Sequence, residues 1–259
     1  MGSSLLARSR EIAGLLHITA GSPVDFQEMA RVIANTLECG VYIVGRRGHI
    51  IGYSFLEDPG PQPGIESILG YAERFPESFN QEFLGLQVTR ANLHMERRCI
   101  FNVEGISCSC QGKIFSIVPI FGGARRIGTL VLYREREFTE EELVLAEYGA
   151  LVIASEVMRM RGERIGDEAR QRASVNVALG TLSFSEREAI EHILAELNAR
   201  EGLLVASRVA DRAGITRSVI ASALRKLESA GLIQARSLGM KGTYIRILND
   251  NLLDAIGKN

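Results

Sequence analysis

No stretch free of Asp, Glu, Lys and Arg exceeds 13 residues, residues 173–185 being one such run. A bilayer-spanning helix needs about 20 apolar residues, so a transmembrane helix is excluded. Cysteine is scarce: Cys39, Cys99, Cys108 and Cys110 contain no Cys-x-x-Cys pair, and His17, His49, His94 and His192 add no metal-ligand spacing. Neither a disulfide framework nor a metal centre is expected. The opening Met1-Gly2-Ser3-Ser4-Leu5-Leu6-Ala7-Arg8 carries a charge where a signal peptide needs its apolar run, and Leu6 stands where a myristoylation signal needs Ser or Thr; a cytoplasmic protein with no membrane partner is expected. Catalytic patterns are missing too. There is no Gly-x-Ser-x-Gly elbow and no paired-carboxylate arrangement, and Gly122-Gly123-Ala124-Arg125-Arg126-Ile127-Gly128 lacks the Gly-Lys-Ser/Thr end of a phosphate-cradling loop. That glycine-rich run reads as a hairpin turn, and the chain reads as a non-enzyme with no catalytic residues, cofactor or metal.

What is present is an ordinary globular composition, 46% hydrophobic and 24% charged over 259 residues, enough for two domains with cores of their own. The net charge of −1 is unevenly spread. Residues 203–248 hold eight positive side chains against two negative, a net of +6, which leaves −7 for the rest. A short basic module on an acidic body is the balance expected when one part touches a polyanion.

Helical patterns occupy residues 3–17 and 25–38, the second capped by Asp25. β-branched and aromatic runs at 41–44 and 50–55 flank Gly45-Arg46-Arg47-Gly48-His49, a hairpin with two arginines at its tip. Pro59, Pro61 and Pro63 mark a loop. Helical patterns follow at 65–75 and 76–86, and strands at 99–103, 113–121 and 127–133, giving an antiparallel sheet flanked by helices. Leu69, Phe75, Pro76, Phe79, Phe101 and Val103 are apolar residues around these loops that could enclose a small apolar ligand or simply form core.

Thr139 and Glu142 form a capping box, and the helical pattern then runs to residue 182. At 1.5 Å per residue that is about 66 Å, a connector or an oligomerisation helix unless Gly162 or Gly166 kinks it. Ser185 and Glu188 read as a second capping box, opening a helix to about residue 198. Helices at 204–213 and 216–230 follow, with Gly231 ending the second. Ala210, Gly214 and Ile220 supply the small crossing residue, turn glycine and packing aliphatic of a helix-turn-helix over 206–225. Strands at 232–236 and 243–247 around Leu238-Gly239-Met240-Lys241-Gly242 form a wing. In such a module the second helix enters the major groove. Ser207, Thr216, Arg217, Ser218 and Ser222 are candidates for the DNA surface near the bases, with Arg225, Lys226, Arg236 and Lys241 for phosphates. Ile220, Leu224 and Leu227 are core. The fold class is α+β, divided as 1–138, a linker helix 139–182 and a winged helix-turn-helix 183–259.

The run from Glu201 to Ile220, EGLLVASRVADRAGITRSVI, together with Arg236-Ser237-Leu238-Gly239-Met240-Lys241-Gly242-Thr243, closely resembles the CodY family of nutrient-sensing global transcriptional repressors of low-GC Gram-positive bacteria. The likeness extends through Leu145-Ala146-Glu147-Tyr148-Gly149-Ala150, Ile117-Val118-Pro119-Ile120 and Arg46-Arg47-Gly48, and is weakest over 56–112. It implies a GAF-like N-terminal domain, a homodimer or tetramer on an AT-rich inverted repeat of double-stranded DNA, and two effectors: a branched-chain amino acid (isoleucine, valine or leucine) and GTP. By position, Phe75, Pro76, Phe79, Phe101 and Val103 match apolar residues around the amino-acid side chain, with Leu69 beside them. The family often places an arginine ahead of this segment to hold the ligand carboxylate. Here that region reads Pro61-Gln62-Pro63-Gly64-Ile65-Glu66, which leaves Arg74 as the substitute. For GTP, the family's Ser-Arg-Arg-Gly-Lys hairpin stands as Gly45-Arg46-Arg47-Gly48-His49, with Glu156 a further candidate; His49 in place of lysine lowers the charge expected at neutral pH. Two other readings remain open: a nucleotide-processing enzyme with an accessory winged helix, its phosphates gripped by Arg46 and Arg47, and a winged-helix regulator answering a different small ligand.

Overall fold

The computed structural model describes residues 4–18, 24–55, 74–75, 77–94, 112–197 and 200–257. The chain divides into two compact units, Met1–Arg161 and Gly162–Asn259. The expected strand at 99–103, most of the expected helix at 65–75 and three of the four cysteines lie outside the described residues. Among the described residues no helix is long and apolar enough to cross a membrane.

Strands β1 (Gly40–Gly45), β2 (Ile50–Ser54), β3 (Arg90–His94), β4 (Ile114–Gly122) and β5 (Arg125–Arg134) form one antiparallel sheet in the order β2-β1-β5-β4-β3. Alternation along the strands separates two cores, since successive side chains face opposite sides. Val41, Ile43, Leu130 and Leu132 meet α1 (Leu5–Ile18), α2 (Phe26–Leu37) and the start of α4 (Glu140–Gly180) in an aliphatic core. Tyr42, Val44, Val131 and Tyr133 face the other way into an aromatic cluster with Phe75 and Phe83, the latter from α3 (Glu77–Leu84). Asp25 caps α2 as expected, accepting from the Gln27 and Glu28 amides at 2.9 and 3.0 Å. Thr139 and Glu142 cap α4 reciprocally, through Thr139 N–H to Glu142 Oε2 at 2.9 Å and Glu142 N–H to Thr139 Oγ1 at 3.3 Å. The α4 helix then runs without interruption through Gly162 and Gly166.

Glu142 does more than cap. Its buried carboxylate meets the Arg134 guanidinium, itself buried, which also donates to the carbonyls of Leu37, Arg136 and Glu137 and stacks on the Phe138 ring. This pair locks the end of β5 to the beginning of α4. Strand β3 was not legible in the sequence: it is an edge strand with no β-branched residue, broken by a bulge where Asn92 adopts φ 55°. The Asn92 side chain compensates by pairing with Phe138, its Nδ2 donating to the carbonyl at 3.1 Å and its Oδ1 accepting from the amide at 2.8 Å.

The second unit packs the end of α4 against α5 (Phe184–Glu196), α6 (Ala206–Ala213), α7 (Arg217–Ser229), the sheet β6-β8-β7 and α8 (Asn251–Ile256), with β6 at Glu201–Leu204, β7 at Ile233–Ser237 and β8 at Thr243–Ile247. Two expectations are corrected. The capping box of α5 is Ser183 with Glu186, not Ser185 with Glu188: Glu186 N–H donates to Ser183 Oγ at 3.3 Å and Ser183 N–H to Glu186 Oε2 at 2.7 Å. Both pairs fit the sequence pattern, and tertiary partners of Glu186 decide between them. The helix expected from residue 204 begins at Ala206, because Leu204 is the buried end of β6, paired with Thr243 of the wing.

Candidate functional site

The helix-turn-helix is built as the spacing predicts. Gly214 takes φ 68° and closes the turn between α6 and α7, and the Ile215 amide donates back to the Ala210 carbonyl at 3.1 Å. Ala210 and Ile220 are buried where the helices cross, along with Leu224 and Leu227. At the start of α7, Thr216, Arg217 and Ser218 are exposed, the Thr216 and Ser218 hydroxyls 2.8 Å apart. Ser207 is half-buried at the start of α6. The wing is pinned at Gly242, where φ is 114° and a Cβ would run into the Leu204 carbonyl. Its Arg236 and Lys241 are exposed, as is Arg225 on α7. Among the described residues Arg217, Arg225, Arg236 and Lys241 carry no ion pair, so their charge is available to an external anion.

Ser222 and Lys226 depart from this surface. Ser222 Oγ donates to Glu186 Oε1 at 2.7 Å, while Lys226 Nζ reaches Glu186 Oε2 at 2.6 Å and the Thr181 carbonyl at 3.0 Å. The Lys226 ammonium, the Ser183 amide and the Ser222 hydroxyl hold the Glu186 carboxyl down at about 2. The two α7 residues are therefore tied to the N-terminus of α5, and sequence reasoning missed Glu186 as their anchor. The periodicity did contain a signal: Ser222 and Lys226 are four apart, one face of α7.

In the first unit the arginine hairpin forms as expected. The Gly45 amide donates to the His49 carbonyl at 2.8 Å, and Arg46 and Arg47 are exposed at the tip. The hairpin is also fastened sideways. Phe75 N–H donates to the Gly48 carbonyl at 2.7 Å, the Arg74 guanidinium lies 3.1 Å from His49 Nε2, and Asn80 Nδ2 reaches the Arg46 carbonyl at 3.4 Å. Arg74, expected near a ligand carboxylate, is thus placed against the arginine hairpin. Phe75 is buried, edge-on to Tyr42 at 6.2 Å between ring centres and 5.9 Å from Phe83; Phe79 is 6.0 Å from Phe83. Leu69, Pro76, Phe101 and Val103 lie outside the described residues. Glu156 on α4 is buried and ion-paired with Arg159 at 2.9 Å. Cys39 is also buried, which pushes its thiol up to about 12 and leaves it protonated at neutral pH. Among the described residues no group of three His, Cys, Asp or Glu side chains could hold a metal ion.

Comparison with known proteins agrees with this architecture. The model of the CodY GAF-like domain matches residues 4–181 and that of the CodY helix-turn-helix domain residues 200–258. The chain is 48% identical over 258 residues to the global transcriptional regulator CodY of Clostridium botulinum (strain Eklund 17B / Type B), covering 99% of each. It is 49% identical over 257 residues to that of Thermoanaerobacter sp. (strain X514), covering 99% of this chain and 98% of the relative. Among solved structures, the cofactor binding GAF domain of the nutrient sensor CodY from Clostridium difficile aligns with 61% of this chain and 99% of its own, at 28% identity and a TM-score of 0.40. A GAF-like domain, a long helix and a winged helix-turn-helix, matched across nearly the whole length by curated global transcriptional regulators, make this chain a member of the CodY family.

Proposed function

We propose that this protein is a homodimeric, nutrient-sensing transcriptional repressor, which binds an AT-rich inverted repeat through its winged helix-turn-helix and responds to branched-chain amino acids and GTP. The observation that carries the DNA reading is the set of exposed, unpaired cations on the recognition helix and wing. Thr216, Arg217 and Ser218 open α7, where a recognition helix meets base edges, and Arg225, Arg236 and Lys241 serve the phosphates, with Ser207 at the start of the preceding helix. Ser222 and Lys226 hold α7 in place through Glu186 instead of reaching DNA. Residues 1–138 sense, 139–182 connect and 183–259 bind DNA.

For the effectors, Phe75 and Phe79 on the aromatic face of the sheet are assigned to the side chain of an aliphatic amino acid; Leu69, Pro76, Phe101 and Val103, outside the described residues, are assigned to it by the family likeness alone. Arg46 and Arg47 grip the GTP phosphates, since a guanidinium fork matches phosphate oxygens bidentately. His49 and Arg74 brace that hairpin, and Glu156, which is paired with Arg159 on α4, is assigned to the nucleotide site by the family likeness alone. The close relatives named as transcriptional regulators support the regulatory role. The test is fluorescence anisotropy of an AT-rich inverted-repeat duplex at fixed salt, with and without isoleucine, valine and GTP. Tighter binding with each effector is expected. Binding indifferent to all three keeps the DNA-binding regulator and discards these effectors; operator binding unchanged by Arg217→Ala with Ser218→Ala discards the assigned interface.

A further inference from the structure

The glycine-rich turn between β4 and β5 is a second arginine-bearing hairpin, and the reading above leaves it without a task. Gly122 pairs with Arg125 across a two-residue connection of Gly123 and Ala124, with Gly123 at φ 61°. Its place in the sheet is fixed by register. β1 runs antiparallel to β5 with Gly45 opposite Gly128, and the Arg46 amide donates to the Ile127 carbonyl at 3.0 Å. The two turns therefore emerge from adjacent strands at the same end of the sheet, and Arg125 is two residues along β5 from the residue that holds Arg46.

The two arginines of this second turn have different fates. Arg126 is spent internally: its guanidinium donates to the carbonyls of Phe83, Leu86 and Gly128 and to Thr129 Oγ1, and burial lowers its pKa to about 10. Arg125 is exposed and, among the described residues, has no partner. Arg46 and Arg47 likewise carry side chains without an ion pair. The Met158 side chain of α4 lies against Gly122, and Glu156, two residues earlier on that helix, is already paired with Arg159. With no ion pair among the described residues, three guanidiniums on turns at one end of the sheet offer positive charge that the several anionic oxygens of a polyphosphate complement.

We infer that Arg125 is a third phosphate-binding arginine of this chain, completing with Arg46 and Arg47 a site for the triphosphate of a nucleotide. The inference rests on the assignment of Arg46 and Arg47 to GTP. Three cations from two turns suit a triphosphate better than a monophosphate, so the site discriminates by phosphate number. The test is titration calorimetry of the full-length protein with GTP, GMP and inorganic tripolyphosphate, on wild type, Arg125→Ala, Arg125→Lys and Arg47→Ala. Arg125→Ala is expected to weaken GTP and tripolyphosphate by about tenfold, to leave GMP within about twofold, and to be partly restored by lysine. An unchanged melting temperature establishes that the exposed turn still folds. Full GTP affinity in Arg125→Ala, with loss in Arg47→Ala, overturns this inference and keeps the arginine hairpin. No GTP binding by wild type, or full affinity in Arg47→Ala, overturns both.

Discussion

Glu142 shows how one side chain can serve three elements. Burial alone would raise its pKa, but hydrogen bonds from Arg134, the Thr139 amide and Arg136 outweigh it and bring the carboxyl to about 2. Because the folded pKa is depressed below the ordinary value of 4.5, the carboxylate stabilises the fold above that value, and the contribution fades as pH falls from about 4.5 towards 2. Glu142→Gln is expected to cost about 3 kcal/mol at pH 7, since it strands the buried Arg134 guanidinium. Urea denaturation at pH 7 and pH 3 tests this: the difference between wild type and variant shrinks at the lower pH, and a difference independent of pH would show that the amide loses packing, not charge. Glu186 offers a contrasting case at the recognition helix. Glu186→Gln removes the anchor of Lys226 and Ser222, and DNA affinity measured by anisotropy is expected to fall several-fold although the residue reaches no DNA, because α7 loses the ties that set its angle. Lys226→Met should fall likewise, whereas a phosphate contact at Lys226 would instead reduce the salt dependence of binding.

At the scale of elements, legibility followed how local the determinants are. Helices α2 and α4 could be placed from Asp25, Thr139 and Glu142 because a cap is a contact between residues two or three apart. The helix-turn-helix was legible for the same reason, from Ala210, Gly214 and Ile220. Strands β3 and β6 were not, since each is a short edge strand held by one neighbour, β4 or β8, that is distant in sequence. The α5 cap failed through degeneracy: Ser183-Phe184-Ser185-Glu186-Arg187-Glu188 contains two overlapping boxes, and it is Ser222 and Lys226, 36 and 40 residues on from Glu186, that favour the first. Ser183→Ala should cost about 1 kcal/mol of stability and Ser185→Ala almost nothing, by chemical denaturation. The site followed the same rule. Exposure of Arg217, Arg236 and Lys241 could be inferred from turn and helix starts, but the diversion of Ser222 and Lys226 to Glu186 and of Arg74 to His49 depends on tertiary neighbours.

For the whole molecule, the two kinds of input to DNA binding are physically distinct and can be separated. The net charge of −1 conceals a module of +6, so attraction to DNA resides almost wholly in residues 203–248. Each phosphate neutralised releases counterions, and the slope of log affinity against log salt steepens by about 0.9 per contact. Arg236→Ala or Lys241→Ala is therefore expected to flatten that slope by about one for each phosphate contact removed, with the largest loss of affinity at low salt. An effector in the first unit acts differently. On the function proposed above, it shifts the balance between DNA-competent and incompetent arrangements in proportion to its own preference for one of them, and adds no cation to the interface. Isoleucine and GTP should thus raise affinity by the same factor at every salt concentration, giving parallel lines in anisotropy titrations carried out over a range of salt. If GTP instead changed the slope, nucleotide binding would be altering the number of phosphates contacted, and the effector would be remaking the interface itself.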